Sequence, residues 1–154
     1  MRKILIILSL LLITGKIYGE TIVRSDDIKA AFIFHFITFT QWDDDKANYY
    51  VCIPNDEGLK NVVQESLEDK VINNRSIVVM DKVFDGCHVI VADYAPASDT
   101  TLTIGRLERG AMLEFRVVNN KLKFAANPQK IKKSKLKVSS QLLKLAILEQ
   151  KGES

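Results

Sequence analysis

The segment from Ile28 to Phe39 constrains the fold most, because it is helical in character and apolar on every side. Ser25 precedes it as a predicted N-cap, and Asp26 and Asp27 supply the acidic first turn that is typical of a helix. A helix without a polar stripe is stable only when other elements cover it all round. The chain must therefore fold in more than one layer, with this helix near the centre.

A leader of secretory type occupies residues 1–19. The basic pair Arg2 and Lys3 is followed by an apolar run from Ile4 to Ile13 and then by a short polar stretch, which is the pattern of a signal peptide. The apolar run is about half of the roughly 20 residues that a membrane-spanning helix needs, so an uncleaved anchor is the weaker alternative. We expect export to the periplasm and a mature domain, residues 20–154, without a membrane span.

The distribution of charge argues against a nucleic-acid partner. The chain has 22 Lys and Arg against 19 Asp and Glu, but three of the basic residues lie in the leader, so the mature chain is neutral overall. Its first third is acidic and its last third is basic. The densest basic run could contact an anionic partner or, as we favour, solvate a helix and protect an edge strand. This run consists of Lys130, Lys132, Lys133, Lys135 and Lys137.

Each of the two cysteines lies in a β-branched or aromatic run that predicts a buried strand. Cys52 is in the run 49–53, and Cys87 opens the run 87–92. In an exported protein an even number of cysteines favours a structural disulfide over free, reactive thiols or metal ligands. A bridge between neighbouring strands would contribute on the order of 3–4 kcal/mol to stability.

The remaining patterns predict one α/β domain, with a mixed β-sheet flanked by helices. Neither an internal repeat nor a Pro/Gly-rich linker divides the chain. Two asparagines that tolerate positive φ predict the tip of a hairpin. The expected strands are 49–53, 76–80, 87–92, 101–104 and the hairpin 112–118 with 121–124, and the expected helices are 28–39, 56–67, 128–133 and 140–149.

Several ordered motifs extend from Ile28 to Ala146. They are Ile28 to Phe36 followed by Phe39 to Trp42, Cys87 to Ile90, Gly110 to Leu113, Leu122 to Asn127, and Ser139 to Ala146. Together they resemble the YfiR-like periplasmic family. The resemblance implies an exported homodimer that represses an inner-membrane diguanylate cyclase by binding its periplasmic region. It also implies a disulfide between Cys52 and Cys87 that is linked to redox control.

The segment around residue 96 departs from that family. A crossover helix is expected between two parallel strands here, since parallel neighbours usually need a dozen or more connecting residues. Only residues 97–100 separate the segment 93–96 from the strand predicted at 101–104. Either the crossover after residue 96 is shortened, or the strand 101–104 pairs differently.

No grouping of residues indicates catalysis or a cofactor, because the sequence contains neither a Gly-rich phosphate loop nor a Gly-x-Ser-x-Gly motif. His35 and His88 lack the ligand spacing of a zinc site, and the run 43–45 lacks the glycine and glutamate of a calcium loop, which favours a solvated turn. Phe34 and Trp42 are expected to form a dimer or partner surface. The sequence therefore predicts a non-enzymatic regulator of a diguanylate cyclase or sensor kinase. A periplasmic small-molecule or cell-wall binding module that uses the Lys-rich segment is the alternative.

Overall fold

The computed structural model describes residues 24–94 and 96–148, so the predicted leader lies outside the described residues. The helices are α1 Ser25–Thr38, α2 Glu57–Leu67, α3 Pro128–Lys133 and α4 Ser140–Leu145. The strands are β1 Thr40–Gln41, β2 Asn48–Cys52, β3 Val71–Ile72, β4 Arg75–Met80, β5 Val89–Val91, β6 Leu102–Ile104, β7 Leu113–Val118, β8 Lys121–Ala126, β9 Lys137–Val138 and β10 Ile147–Leu148. None of the helices in these two ranges has the length and hydrophobicity needed to cross a bilayer.

Eight strands form one mixed sheet in the order β10-β8-β7-β6-β5-β2-β4-β3. The five central strands, from β7 to β4, pair in parallel with their neighbours. β3 pairs with β4 and β8 pairs with β7 in antiparallel fashion, whereas β10 runs parallel to β8. β1 and β9 form a separate antiparallel pair. The predicted mixed α/β architecture is confirmed.

Helix α1 is covered as its sequence demands. Ile33 and Phe36 are completely buried, the Phe36 ring lies 4.9 Å from the ring of Phe124 in β8, and α2 packs alongside. The prediction that Ser25 caps the helix is wrong, because Ser25 is its first helical residue. The carboxylate of Asp27 instead accepts a hydrogen bond of 3.1 Å from the backbone N–H of the residue before Ser25.

The last predicted helix, residues 140–149, is wrong in its second half. Helix α4 ends at Leu145, whose side chain is 72% exposed. Ile147 and Leu148 then form β10 against Ala125 and Ala126 of β8. The free edge of β8 offers backbone hydrogen-bond partners that a further helical turn could not reach, so tertiary pairing overrides the helical spacing of the leucines.

Strands β5 and β6 are parallel neighbours, and no helix occurs among the described residues of the segment 92–101 that joins them. Each strand has three residues and is about 10 Å long. An irregular segment of this length can therefore return from the end of β5 to the start of β6. Of the two alternatives, the shortened crossover is confirmed and the different pairing is wrong.

The side chains of β2 point alternately to the two faces of the sheet, so they contribute to two separate apolar cores. Val51 and the adjoining Ile53 belong to the main core under α1 and α2. Cys52 points to the opposite face, where it forms a small buried cluster with Cys87 and Ile90. The cysteines therefore stabilise the side of the sheet that has the smaller apolar core.

Candidate functional site

Cys52 and Cys87 form a disulfide, with their Cα atoms 6.0 Å apart. The predicted bridge is thus confirmed. The strand predicted at 87–92 is shorter, because Cys87 lies in a turn two residues before β5. The backbone N–H of Phe84 donates to Sγ of Cys87 over 3.3 Å, and the Thr101 hydroxyl donates to the Cys87 carbonyl over 3.0 Å. The bridge therefore fixes both the turn and the return segment to β2.

His88 follows Cys87 directly and is 1% exposed. Its Nδ1 accepts a hydrogen bond of 3.0 Å from the backbone N–H of Tyr50, so the ring proton lies on Nε2. Nε2 donates to Oδ2 of Asp44 over 2.9 Å, and Nη2 of Arg75 donates to Oδ1 of the same carboxylate over 2.8 Å. Asp44, read from sequence as part of a solvated turn, is instead held between an imidazole and a guanidinium.

The pKa values of this group follow from its surroundings. Burial is the main cause that lowers the pKa of His88, and it outweighs the opposing effect of the Asp44 carboxylate. Burial alone would raise the pKa of Asp44. The backbone N–H of Lys46 and the neighbouring His88 and Arg75 outweigh that effect and lower it. Near neutral pH the site therefore contains a neutral imidazole beside a charged pair.

Aromatic rings surround His88. The rings of Trp42 and Tyr49 each have centroids 5.4 Å from the imidazole, and the Tyr50 ring stacks on it at 6.1 Å. The Arg75 guanidinium lies over the Tyr49 ring, 3.9 Å from its centroid, in a cation–π contact. Trp42 is therefore half-buried and ordered by its neighbours.

Next to these rings is a cavity of about 350 Å³, which we call the tryptophan–lysine cavity. Its lining includes Thr40, Trp42, Tyr49, Arg75, Lys135 and Lys137. β1 and β9 bring its two sides together, because Gln41 pairs with Lys137 across their antiparallel register. The fold thus joins Trp42, which we predicted for a partner surface, to two lysines of the predicted basic run.

Three polar atoms at this cavity are buried without a hydrogen-bond partner among the described residues. They are Oγ1 of Thr40, Nε1 of Trp42 and Nε of Arg75. Each buried polar group that is left unpaired costs about 1–3 kcal/mol. A hydroxyl and two N–H donors next to Lys135 and Lys137 suit a group that is rich in acceptor oxygens. The positive charge is partly balanced, because Arg75 pairs with Asp44, Lys135 pairs with Asp99 over 3.3 Å, and Asp43 also lines the cavity.

The other residues predicted for the site lie elsewhere. Phe34 is half-buried against the main core, with its ring 6.0 Å from that of His35. Lys130, Lys132 and Lys133 lie on α3 and do not line the tryptophan–lysine cavity. The structure therefore divides the predicted basic run between a helix and this cavity.

Sequence reasoning missed the contact between His88 and Asp44, which are 44 residues apart. A histidine in an apolar run can be recognised from sequence as a candidate for a buried polar contact. No short-range pattern in the sequence indicates that Asp44 is its partner. No group of three or more His, Cys, Asp or Glu within the described ranges is placed to hold a metal ion.

Comparison with known proteins places the chain in a family. Residues 26–147, from the first turn of α1 to the start of β10, match the YfiR/HmsC-like family. A comparison with curated proteins returned no significant match. The matched region includes both cysteines, His88 and the whole tryptophan–lysine cavity. Since the match covers most of the chain, this protein belongs to the YfiR/HmsC-like family.

Proposed function

We propose that this protein is an exported periplasmic regulator that binds and restrains a membrane-bound signalling protein, either a diguanylate cyclase or a sensor kinase. Membership of the YfiR/HmsC-like family carries the proposal, because that family is regulatory rather than catalytic. The predicted leader at residues 1–19 supports export. The protein acts by binding, without a cofactor.

The tryptophan–lysine cavity is the proposed contact with the partner. Tryptophan and arginine dominate the binding energy of many interfaces, and here Trp42 and Arg75 each have a buried N–H without a partner among the described residues. Lys135 and Lys137 add positive charge. An acidic side chain or a carbonyl-rich loop of the partner would satisfy these groups.

The disulfide is proposed as the redox element of this contact. Cys87 is bonded to Cys52 and adjoins His88, whose ring contacts Trp42 at the cavity. Reduction would release the turn before β5 and so loosen one wall of the cavity. The oxidised form is therefore the one that we expect to bind the partner.

Crosslinking in the native bacterium tests the proposal. A photoreactive amino acid at position 42 should capture a membrane protein with a diguanylate cyclase or histidine-kinase output domain. The same group at the exposed position 69, which does not line the tryptophan–lysine cavity, is the matched control. Deletion of the gene should raise cyclic di-GMP or the phosphorylation of the kinase's response regulator. Capture of no signalling protein, together with unchanged output after deletion, would refute the proposal.

A homodimer is also proposed, with the half-buried Phe34 at or near its interface. Sedimentation of the mature chain should give twice the monomer mass, and Phe34→Ala should shift the equilibrium toward monomer. A monomeric wild type at all concentrations would contradict this part of the proposal.

The second candidate function is binding of an anionic small molecule or cell-wall polymer in the tryptophan–lysine cavity. The three unpartnered polar atoms favour it, because a ligand could satisfy them as well as a partner protein could. Cosedimentation with peptidoglycan should then weaken steeply as salt is added, since exposed charges are screened. Retention that does not depend on Lys135 and Lys137 would exclude this candidate.

A further inference from the structure

A second cavity lies at the other end of β2, and we call it the switch-point crevice. It has a volume of about 800 Å³ and shares no lining residue with the tryptophan–lysine cavity. This volume lies within the range of small-molecule sites, which is about 300–1,000 Å³. Nothing in the proposed regulatory contact uses it.

The order of strands explains why a crevice forms there. The chain leaves β2 through α2 to reach β3 and β4 on one side, then returns to form β5 on the other side of β2. The loops after β2 and β5 therefore turn in opposite directions and leave a gap between them. In open sheets of parallel strands, ligands bind at such a point, outside the carboxyl ends of the strands.

The crevice has an apolar floor. Val91 at the end of β5, Ile104 at the end of β6, Leu59 of α2 and Phe115 of β7 line it. The ends of β5 and β6 approach closely, because a Cβ atom at Gly105 would lie within clashing distance of the Ala92 carbonyl oxygen. An apolar group of a ligand can therefore be buried against the ends of the strands.

Two cationic side chains at the rim are only loosely held. Lys29 of α1 lies 6.0 Å from the Phe115 ring and contacts Asp26 at 3.4 Å. Arg106, after β6, is 55% exposed and its nearest carboxylate oxygen, on Glu108, is 3.6 Å away. Surface pairs of this length contribute little, whether partly buried as at Lys29 or exposed as at Arg106, so both cations remain able to bind a carboxylate of a ligand.

The acidic side chains of the crevice differ in their availability. Asp56 caps α2 by accepting a hydrogen bond of 2.9 Å from the Leu59 N–H. Glu114 accepts a hydrogen bond of 2.8 Å from the Leu107 N–H. Asp93 is exposed and has no hydrogen-bond or ion-pair partner among the described residues. It is the carboxylate that can meet a positive group of a ligand.

We propose that the switch-point crevice binds a short zwitterionic peptide with an apolar side chain. Lys29 and Arg106 would meet its carboxylate, Asp93 its ammonium group, and the floor its side chain. An apolar surface bounded by opposite charges matches both ends and the body of such a ligand, whereas a purely anionic ligand would be repelled by Asp93. The proposal is independent of the regulatory partner.

Titration of the mature protein with the dipeptide Leu-Phe tests the proposal. We expect binding at micromolar to millimolar concentration, with NMR shifts at Ala92 and Gly105. Lys29→Ala and Asp93→Asn should each weaken binding about fivefold, as expected for partly exposed charge pairs. Matched controls are Lys144→Ala and Asp69→Asn, since both residues are exposed and line neither cavity.

A blocked dipeptide separates a direct contact from a structural effect. N-acetyl-Leu-Phe lacks the ammonium group and is purely anionic, so it should bind Asp93→Asn at least as tightly as the wild type, because the substitution removes only a repulsion. Binding of N-acetyl-Leu-Phe that Asp93→Asn still weakens would overturn the assigned contact. Absence of Leu-Phe binding at millimolar concentration, or shifts confined to the tryptophan–lysine cavity, would overturn the site. Neither result bears on the partner crosslinking at Trp42.

Discussion

Removal of the disulfide between Cys52 and Cys87 is expected to lower the free energy of unfolding by about 4 kcal/mol. The cysteines are 35 residues apart in sequence, and a crosslink that closes such a loop restricts the unfolded chain by about that amount. Both side chains are buried, so replacement by alanine also leaves a small void that adds to the loss. The melting temperature should fall by on the order of 10–15 °C.

The assay compares the oxidised wild type, the wild type with reductant, and the Cys52→Ala, Cys87→Ala double variant. Circular dichroism follows unfolding. Fluorescence follows the tryptophan–lysine cavity, because Trp42 is the single tryptophan of the chain and its ring lies 5.4 Å from His88. Reduction should change the emission of the folded protein. The double variant is the control, since reductant should have no effect on it.

Two results would refute the reasoning separately. A loss below about 1 kcal/mol would mean that the bridge does not restrict the unfolded chain as the chain-entropy relation requires. If the free energy of unfolding falls by the expected amount but reduction leaves the Trp42 emission unchanged, the structural role of the disulfide stands. This result would nevertheless remove the proposed coupling from the disulfide through His88 to the cavity.

Two further predictions concern the polar groups of the interior. Thr40→Val should raise the free energy of unfolding by about 1 kcal/mol, because the Thr40 hydroxyl is buried without a partner among the described residues. The matched Thr103→Val should lower it, because the Thr103 hydroxyl accepts a hydrogen bond of 3.0 Å from the Met112 N–H; urea unfolding measures both, and equal signs would contradict the assignment. Burial lowers the pKa of His88, so as pH falls the unfolded chain binds the proton first. The contribution of His88 to the free energy of unfolding is therefore complete above pH 6.5 and is lost as the pH falls below it. If the melting temperature of a His88→Gln variant depended on pH as steeply as that of the wild type, this assignment would be wrong.

Short-range sequence patterns correctly predicted the elements whose conformation depends on only a few neighbouring residues. The hairpin tip is one example, since Asn119 and Asn120 both adopt the positive φ that the prediction required, 52° and 59°. The covered helix α1 is another, because an all-apolar helix has no alternative in water. The disulfide belongs here as well, since a chain with two cysteines allows a single intramolecular pairing.

The site could be predicted only in part. Trp42 and the lysines were each singled out, but nothing local indicates that Gln41 pairs with Lys137 and so brings them to one cavity. The role of Asp44 was missed for the same reason, because its partner His88 is distant in sequence. The end of α4 depended on the free edge of β8, which exists only after the sheet has formed.

By itself the sequence determined the mixed α/β class, the pairing of the cysteines and the family resemblance, whereas export stays a prediction from residues 1–19. These follow from residue type and short-range spacing, which act in any conformation of the chain. The tertiary structure decided which charges and rings meet: the His88 group, the tryptophan–lysine cavity and the switch-point crevice. Each of these depends on strand order and register, and long-range pairing is selected by the packing of the whole sheet rather than by the residues that it brings together.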